Sequence, residues 1–185
     1  MASKLIGRFS GFEQDIAALE AQVKCALMQA GTALQDDMKV CLHEHIDSDV
    51  YGAFEPAAYV RRGDDGGLSD MEKNTSSSPP PSEFGGGVTV RLDYTPDGQT
   101  DGMGRELTVH ADGDSLIGRI EHRTPDYNWN RIRSPGDRPF FRNFVQEMVD
   151  GGRAEETLVR AMNAVVPSLG VTADGSVIRE EDDWR

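Results

Sequence analysis

The sequence is short of several things, and each shortage removes a class of function. Basic charge is scarce: 19 Lys and Arg stand against 32 Asp and Glu, a formal net charge of −13 at pH 7. Proteins that grip nucleic acid do so largely by neutralising phosphates with Lys and Arg. A polybasic membrane anchor draws on the same residues. Neither class fits this balance, and the acidity reads first as solubility. Long apolar runs are missing too. No stretch approaches the ~20 residues that a transmembrane helix needs, and the opening MASKLIGRFSGFEQD has no sustained apolar core of the kind a secretory signal carries. Cysteine is limited to Cys25 and Cys41. Both fall on one predicted helix, more than four turns apart, too far for a bridge within the chain. They read as reduced thiols in a protein that folds in a cytoplasm.

Catalytic signatures are lacking as well. There is no nucleophile elbow, P-loop or dinucleotide fingerprint. DGQTDG at 97–102 has neither the ligand spacing nor the closing Glu of an EF-hand loop. Glu121 beside His122, and Asp112 near Asp114, read as surface polar groups, and the Arg62-Gly63-Asp64 tripeptide as chance. The expectation is a protein without enzymatic activity, with no catalytic residues, cofactor or metal. CLHEH at 41–45 is the one segment that invites a metal. His43 and His45 project about 200° apart on a helix, and the spacing is not the HExxH that sets two histidines one turn apart. Cys41 and His45 do share a face. An apolar stripe ending in a histidine is nonetheless preferred over a two-ligand site. A small metal-binding or enzymatic domain built around Cys41, His43 and His45 stays as the competing class.

What the sequence does contain is enough for one modest core. It has 185 residues, 37% of them hydrophobic and 7% aromatic, with 20 Gly and 9 Pro to fill loops. Residues 1–12 form an N-terminal arm with Leu5, Ile6, Phe9 and Phe12. From about Glu13 to Asp47, apolar residues recur at steps of three and four, from Ile16 through Leu19, Val23, Leu27, Leu34, Met38 and Leu42 to His45. That is one face of a long helix, which would span ~50 Å at 1.5 Å per residue. Gly31 is its weak point and the place for a bend. Val50, Tyr51 and Phe54 predict a docking turn, and Asp64–Gly67 a tight one. Residues 71–87, MEKNTSSSPPPSEFGGG, are low in complexity and predict a flexible loop that orders against a partner.

Strands are expected at 88–94, where Val88, Val90, Leu92 and Tyr94 alternate with polar residues, and more weakly at 105–111 and 115–123. In GDRPFFRNFV, Asp137 is placed to cap a helix, with Pro139 in its first turn. That helix runs to about Val149, Gly151-Gly152 breaks it, and a second helix runs from about Ala154 to Val166. An acidic tail follows at 171–185. The fold class is α+β: a long N-terminal helix, an antiparallel β-sheet and C-terminal helices packed on the sheet, in one domain over 13–170.

Two segments carry a resemblance. One is the N-terminal helix running into VYGAFEPAAYVRRGDDGGLSD, with Tyr59, Arg61, Arg62, Gly66, Gly67 and Leu68. The other is the strand element Ile120-Glu121, followed by Arg138, Pro139 and Phe140 at the start of a helix. Together they resemble the neck or tail-completion (minor tail component) family of long-tailed bacteriophages. The tyrosine usual before the glutamate of that strand is absent, and the 71–87 segment is long. Tail terminator and head-closure ring proteins of the same junction are therefore the alternatives. The resemblance implies a virion protein, made in the host cytoplasm, that assembles as a homo-oligomeric ring at the head–tail junction between the portal or head-closure proteins and the tail. DNA would pass through without sequence-specific binding, and no membrane is involved. It also implies that Phe141 and Phe144, with Val145 and Met148, pack the C-terminal helix on the sheet, that Phe140 locks its entry, and that Arg138 pairs with Glu121.

Overall fold

The computed structural model describes residues 12–53, 64–96 and 138–172. The chain opens on helix α1, Phe12–His45, 34 residues long. Glu13 and Asp15 lie in its first turn and His43 and His45 in its last, an order that suits the helix dipole. α1 then widens into a π-helical segment, Ile46–Gly52, which keeps Ile46 and Val50 buried. The predicted end at Asp47 falls inside this extension.

Two helices cover α1. Helix α3, Phe140–Val149, crosses its C-terminal half, and α4, Arg153–Val165, runs along it. Gly151-Gly152 separates them, as predicted. Gly152 adopts the left-handed conformation at φ 77°, and a Cβ on Gly151 would lie 2.6 Å from the carbonyl oxygen of Glu147. α4 ends at Val165, with Val166 as its C-cap, before a 3-10 turn at Pro167–Leu169. The Asn163 side chain closes that end by accepting from the Val171 N–H and donating to its carbonyl, both at 2.9 Å.

The larger core gathers Leu34, Cys41, Leu42, Ile46 and Val50 from the α1 side with Leu68, Phe140, Phe144 and Met148. A smaller one places Ala26 and Ala30 of α1 against Met162 and Val166, small residues that let two helices approach closely. The class is α+β, as expected, but the C-terminal helices lie chiefly on α1. The sheet among the described residues is one hairpin, β1 (Ser82–Phe84) and β2 (Gly87–Thr89), paired antiparallel with Glu83 opposite Val88. Gly85 and Gly86, both at positive φ, form its two-residue turn.

Residues 71–87 differ from the expectation. In place of a flexible loop, the segment forms a helical turn α2 (Met71–Asn74) and the hairpin. Asp70 caps α2, accepting from the Lys73 N–H at 3.0 Å. The buried Asn74 side chain donates to the carbonyls of Gly67 and Leu68. Gln35 on α1 donates to the carbonyls of Pro79 and Arg91 at 2.8 and 2.7 Å. A chain too poor in apolar residues for its own core is thus held by side-chain bonds to its backbone, and composition does not register those. Gly31 has a different part from the expected bend. A Cβ there would lie 2.9 Å from Val88 Cγ2 and 3.0 Å from Pro81 Cβ, so its bareness admits the hairpin to the helix.

The strand expected at 88–94 pairs only over Gly87–Thr89. Val90, Leu92 and Tyr94 still pack on the larger core, so the alternation was a burial signal without a ladder. The strands expected at 105–111 and 115–123, the arm at 1–11, most of the acidic tail, Tyr59, Arg61, Arg62, Asp137 and Glu121 lie outside the described residues. No described helix is long and apolar enough to cross a membrane.

Candidate functional site

The segment that stood out in the sequence, Arg138 to Phe144, turns out to be a packing element. Pro139 sits just before the first helical residue, and no side chain among the described residues caps α3. Phe140, Phe144 and Met148 recur every four residues and form its buried face. Phe141 and Val145 lie one position round and are half-buried. Phe140, expected to lock the entry, is fully enclosed and anchors the helix, while Phe141 packs half-buried against the same core, meets Phe140 edge-on with ring centroids 6.4 Å apart, and reaches Phe144 at 5.6 Å. Helical phase decides this, because an anchor must share a face with 144 and 148. Arg138 is half-buried, and its expected partner Glu121 lies outside the described residues.

Polar chemistry concentrates elsewhere, where the end of α1, the π-helical segment, α3 and the start of α4 meet. Arg153, the first residue of α4, binds three carboxylates. Its Nη2 donates to Asp37 Oδ1 at 2.9 Å, and its Nη1 to Glu44 Oε2 and Glu147 Oε1, both at 2.7 Å. Thr157 adds a 2.8 Å bond to Asp37 Oδ2, and Arg160 donates to Thr157 Oγ1 at 3.0 Å. The Arg153 hydrogen bonds hold both the Asp37 and the Glu147 carboxyls below their ordinary range, against a burial cost. The guanidinium is raised in turn, first by Asp37.

His45 stands beside this network. Its Nδ1 lies 3.2 Å from Asp49 Oδ2 and its Nε2 3.0 Å from Glu147 Oε2. Asn143 donates to Asp49 Oδ2 at 2.9 Å and Ser48 to Asp49 Oδ1 at 2.8 Å. Burial works against the Asp49 charge, yet the bonds from Asn143, Ser48 and His45 outweigh it and keep that carboxyl below its usual range. Cys41, one turn before His45, is fully buried, and desolvation pushes its thiol up to about 12.

The CLHEH segment is thus divided. His43 turns outward to Asp64, Nε2 to Oδ1 at 2.9 Å, and to Asp47. Cys41 and His45 share the inward face, as their spacing required. Here α3 brings what the sequence could not reveal. The Glu147 carboxylate, 102 positions from His45, completes a group in which one donor atom each from Cys41, His45 and Glu147 lie within 4.8 Å of one another. A shallow groove lined by Asn143, Gln146, Glu147, Asp150 and Gly151 opens beside it.

A second feature lies at the other end of α1. The stripe continues unbroken through Phe12, Ile16, Leu19, Val23, Ala26 and Ala30, but its members behave differently. Ala26 and Ala30 are fully covered by α4, whereas Phe12, Ile16 and Leu19 are 68%, 41% and 45% exposed.

The YomN family model matches residues 13–164, a span running from the first turn of α1 almost to the end of α4. The chain belongs to the YomN family, whose name suggests a phage-related protein. No curated protein and no solved structure matches it.

Proposed function

We propose that this YomN-family chain is a non-enzymatic structural protein of a phage particle, a neck or tail-completion component that assembles as a ring at the head–tail junction. The observation that carries this is the uncovered first third of α1. Residues 12–22 are all exposed, and they extend the apolar stripe ~15 Å beyond the point where α4 ends its cover. An amphipathic stripe continued past its own core is suited to burial against another chain. A contact between this stripe and a different face of the next copy is head-to-tail, the kind that forms a ring when the rotation between copies closes. The resemblance carried by Arg138, Pro139 and Phe140 supports the head–tail junction as its location, and the net charge of −13 suits a channel that must not grip passing DNA. Tail terminator and head-closure rings of the same junction are the alternative assignments.

Cryo-electron microscopy of intact particles whose genome encodes this chain tests the proposal. A ring of this protein at the head–tail junction, with Phe12, Ile16 and Leu19 against a neighbouring copy, supports it. Density elsewhere in the virion keeps the structural class and reassigns the part. Particles that lack the chain altogether end the virion assignment.

A further inference from the structure

We propose that Cys41, His45 and Glu147 form a binding site for one zinc-class divalent cation, which ties α1 to α3. The donor set is the first argument. One thiol sulfur, one imidazole nitrogen and one carboxylate oxygen within 4.8 Å of one another make a mixed S, N, O group of the kind that borderline-soft transition metals select and that Mg2+ or Ca2+ does not. In a tetrahedral zinc site with bonds of ~2.0–2.3 Å, neighbouring donor atoms lie about 3.2–3.6 Å apart. His45 Nε2 and Glu147 Oε2, now at 3.0 Å, need open by only a few tenths of an ångström. The sulfur closes the remainder by side-chain adjustment.

The outer contacts are the second argument. A ligating histidine ordinarily gives its other ring N–H to a carboxylate, which fixes the tautomer. Asp49 occupies that position at His45 Nδ1, and Asn143 and Ser48 hold Asp49 in turn. Glu147 is oriented in the same way. Its Oε1 is fixed by Arg153, leaving Oε2 toward the histidine. Each exposed-side ligand therefore has one atom held by a partner and the other directed at the shared point.

Charge is the third. Asp37, Glu44 and Glu147 face Arg153, Asp49 faces His45, and Arg160 lies behind Thr157. Four carboxylates against two guanidiniums leave a surplus of negative charge, and a divalent cation would offset it. Three protein ligands leave a fourth position for water, on the side of the groove beside Glu147. The ion would tie together the two helices whose packing encloses Phe140. It is independent of any role at a phage neck.

The test uses the full chain, stripped with a chelator and titrated with Co2+ and then Zn2+. The expected result is one cobalt per chain, a thiolate-to-cobalt charge-transfer band in the near ultraviolet, displacement by zinc, and a rise in Tm with zinc. Cys25→Ser, which removes the exposed thiol, should leave the band intact, and Cys41→Ser should abolish it with the circular dichroism unchanged. Two further variants keep the proposal exposed should Cys41→Ser fail to fold. Glu147→Gln is expected to weaken cobalt binding at least about 10-fold, and Asp49→Asn, which meets the site through the histidine, about 10–100-fold. Absence of stoichiometric cobalt, a band lost with Cys25 rather than Cys41, or unchanged affinity in both Glu147→Gln and Asp49→Asn would overturn it.

Discussion

The two ends of α1 carry the same apolar stripe and meet opposite fates. From Leu34 onward the stripe is enclosed. α3 and α4 cover Cys41, Leu42 and Ile46, and a ring of carboxylates around Arg153 joins the three helices at their edge. From Phe12 to Leu19 the stripe faces outward with nothing of the described chain upon it. The difference separates two demands on one helix. Its C-terminal part holds the domain together, and its N-terminal part is apolar without contributing to that core. The domain's stability should therefore respond steeply to changes at one end and barely at the other.

The steepest response is expected at Phe140. Truncation of a fully enclosed phenylalanine costs about 3–5 kcal/mol, so Phe140→Ala should shift the urea midpoint far more than Phe141→Ala, whose ring is half-buried. Equal losses at the two positions would mean that helical phase does not assign the anchor.

The next effect belongs to Arg153. Its loss leaves Asp37 only the Thr157 hydroxyl and the more distant Arg160, and Glu147 only His45. Removing one partner of a fully buried pair costs about 3–5 kcal/mol, and exposed pairs are worth under about 1 kcal/mol. With side-chain exposures of 23% for Arg153 and 17% for Asp37, Arg153→Met should cost about 2 kcal/mol. The same pair gives a pH signature. The Asp37 carboxyl is held below its ordinary value of 3.8, first by the Arg153 hydrogen bond. A depressed carboxyl contributes stability that is complete above the unfolded value and disappears as pH falls through the folded one. Denaturation midpoints followed downward from pH 5 should thus fall more steeply in the wild type than in Asp37→Asn. Parallel curves would remove Asp37 from the account.

Gly31→Ala is a smaller and more informative change. In an isolated helix alanine is favoured by about 1 kcal/mol. Here its Cβ would come within 2.9 Å of Val88 and 3.0 Å of Pro81, and overpacking costs about 1–3 kcal/mol. A net loss of about 1 kcal/mol is expected. A gain would show that the hairpin is free to move off α1.

How far the sequence foretold this arrangement depends on the range of the interaction. α1, α4 and the Gly151-Gly152 break were legible because periodicity and glycine chemistry act within a few residues. The shared face of Cys41 and His45 was legible for the same reason. Glu147 was not, since its approach to His45 depends on how α3 crosses α1, and no local pattern encodes a crossing. The 71–87 segment was misread because its support comes from Gln35 on α1 and from the buried Asn74, single polar residues that composition averages away. The anchoring place of Phe140 was legible too: counting by fours back from Met148 gives Phe144 and Phe140.

The smallest expected effect lies at the uncovered end and has the sharpest meaning. Ile16 is 41% exposed and lies outside both core clusters, so Ile16→Asp should alter the stability of the isolated chain by no more than about 0.5 kcal/mol. A charge set between Phe12 and Leu19 would nonetheless interrupt any contact made through the stripe. If that stripe is an assembly surface, the variant should fold as the wild type does, by circular dichroism and urea titration, and yet be missing from purified particles. A variant incorporated normally would show that the exposed half of α1 is not what joins one copy to the next. A variant that unfolds would show that the stripe is covered within the chain itself, by residues beyond those described, and the contrast between the two ends of α1 would disappear.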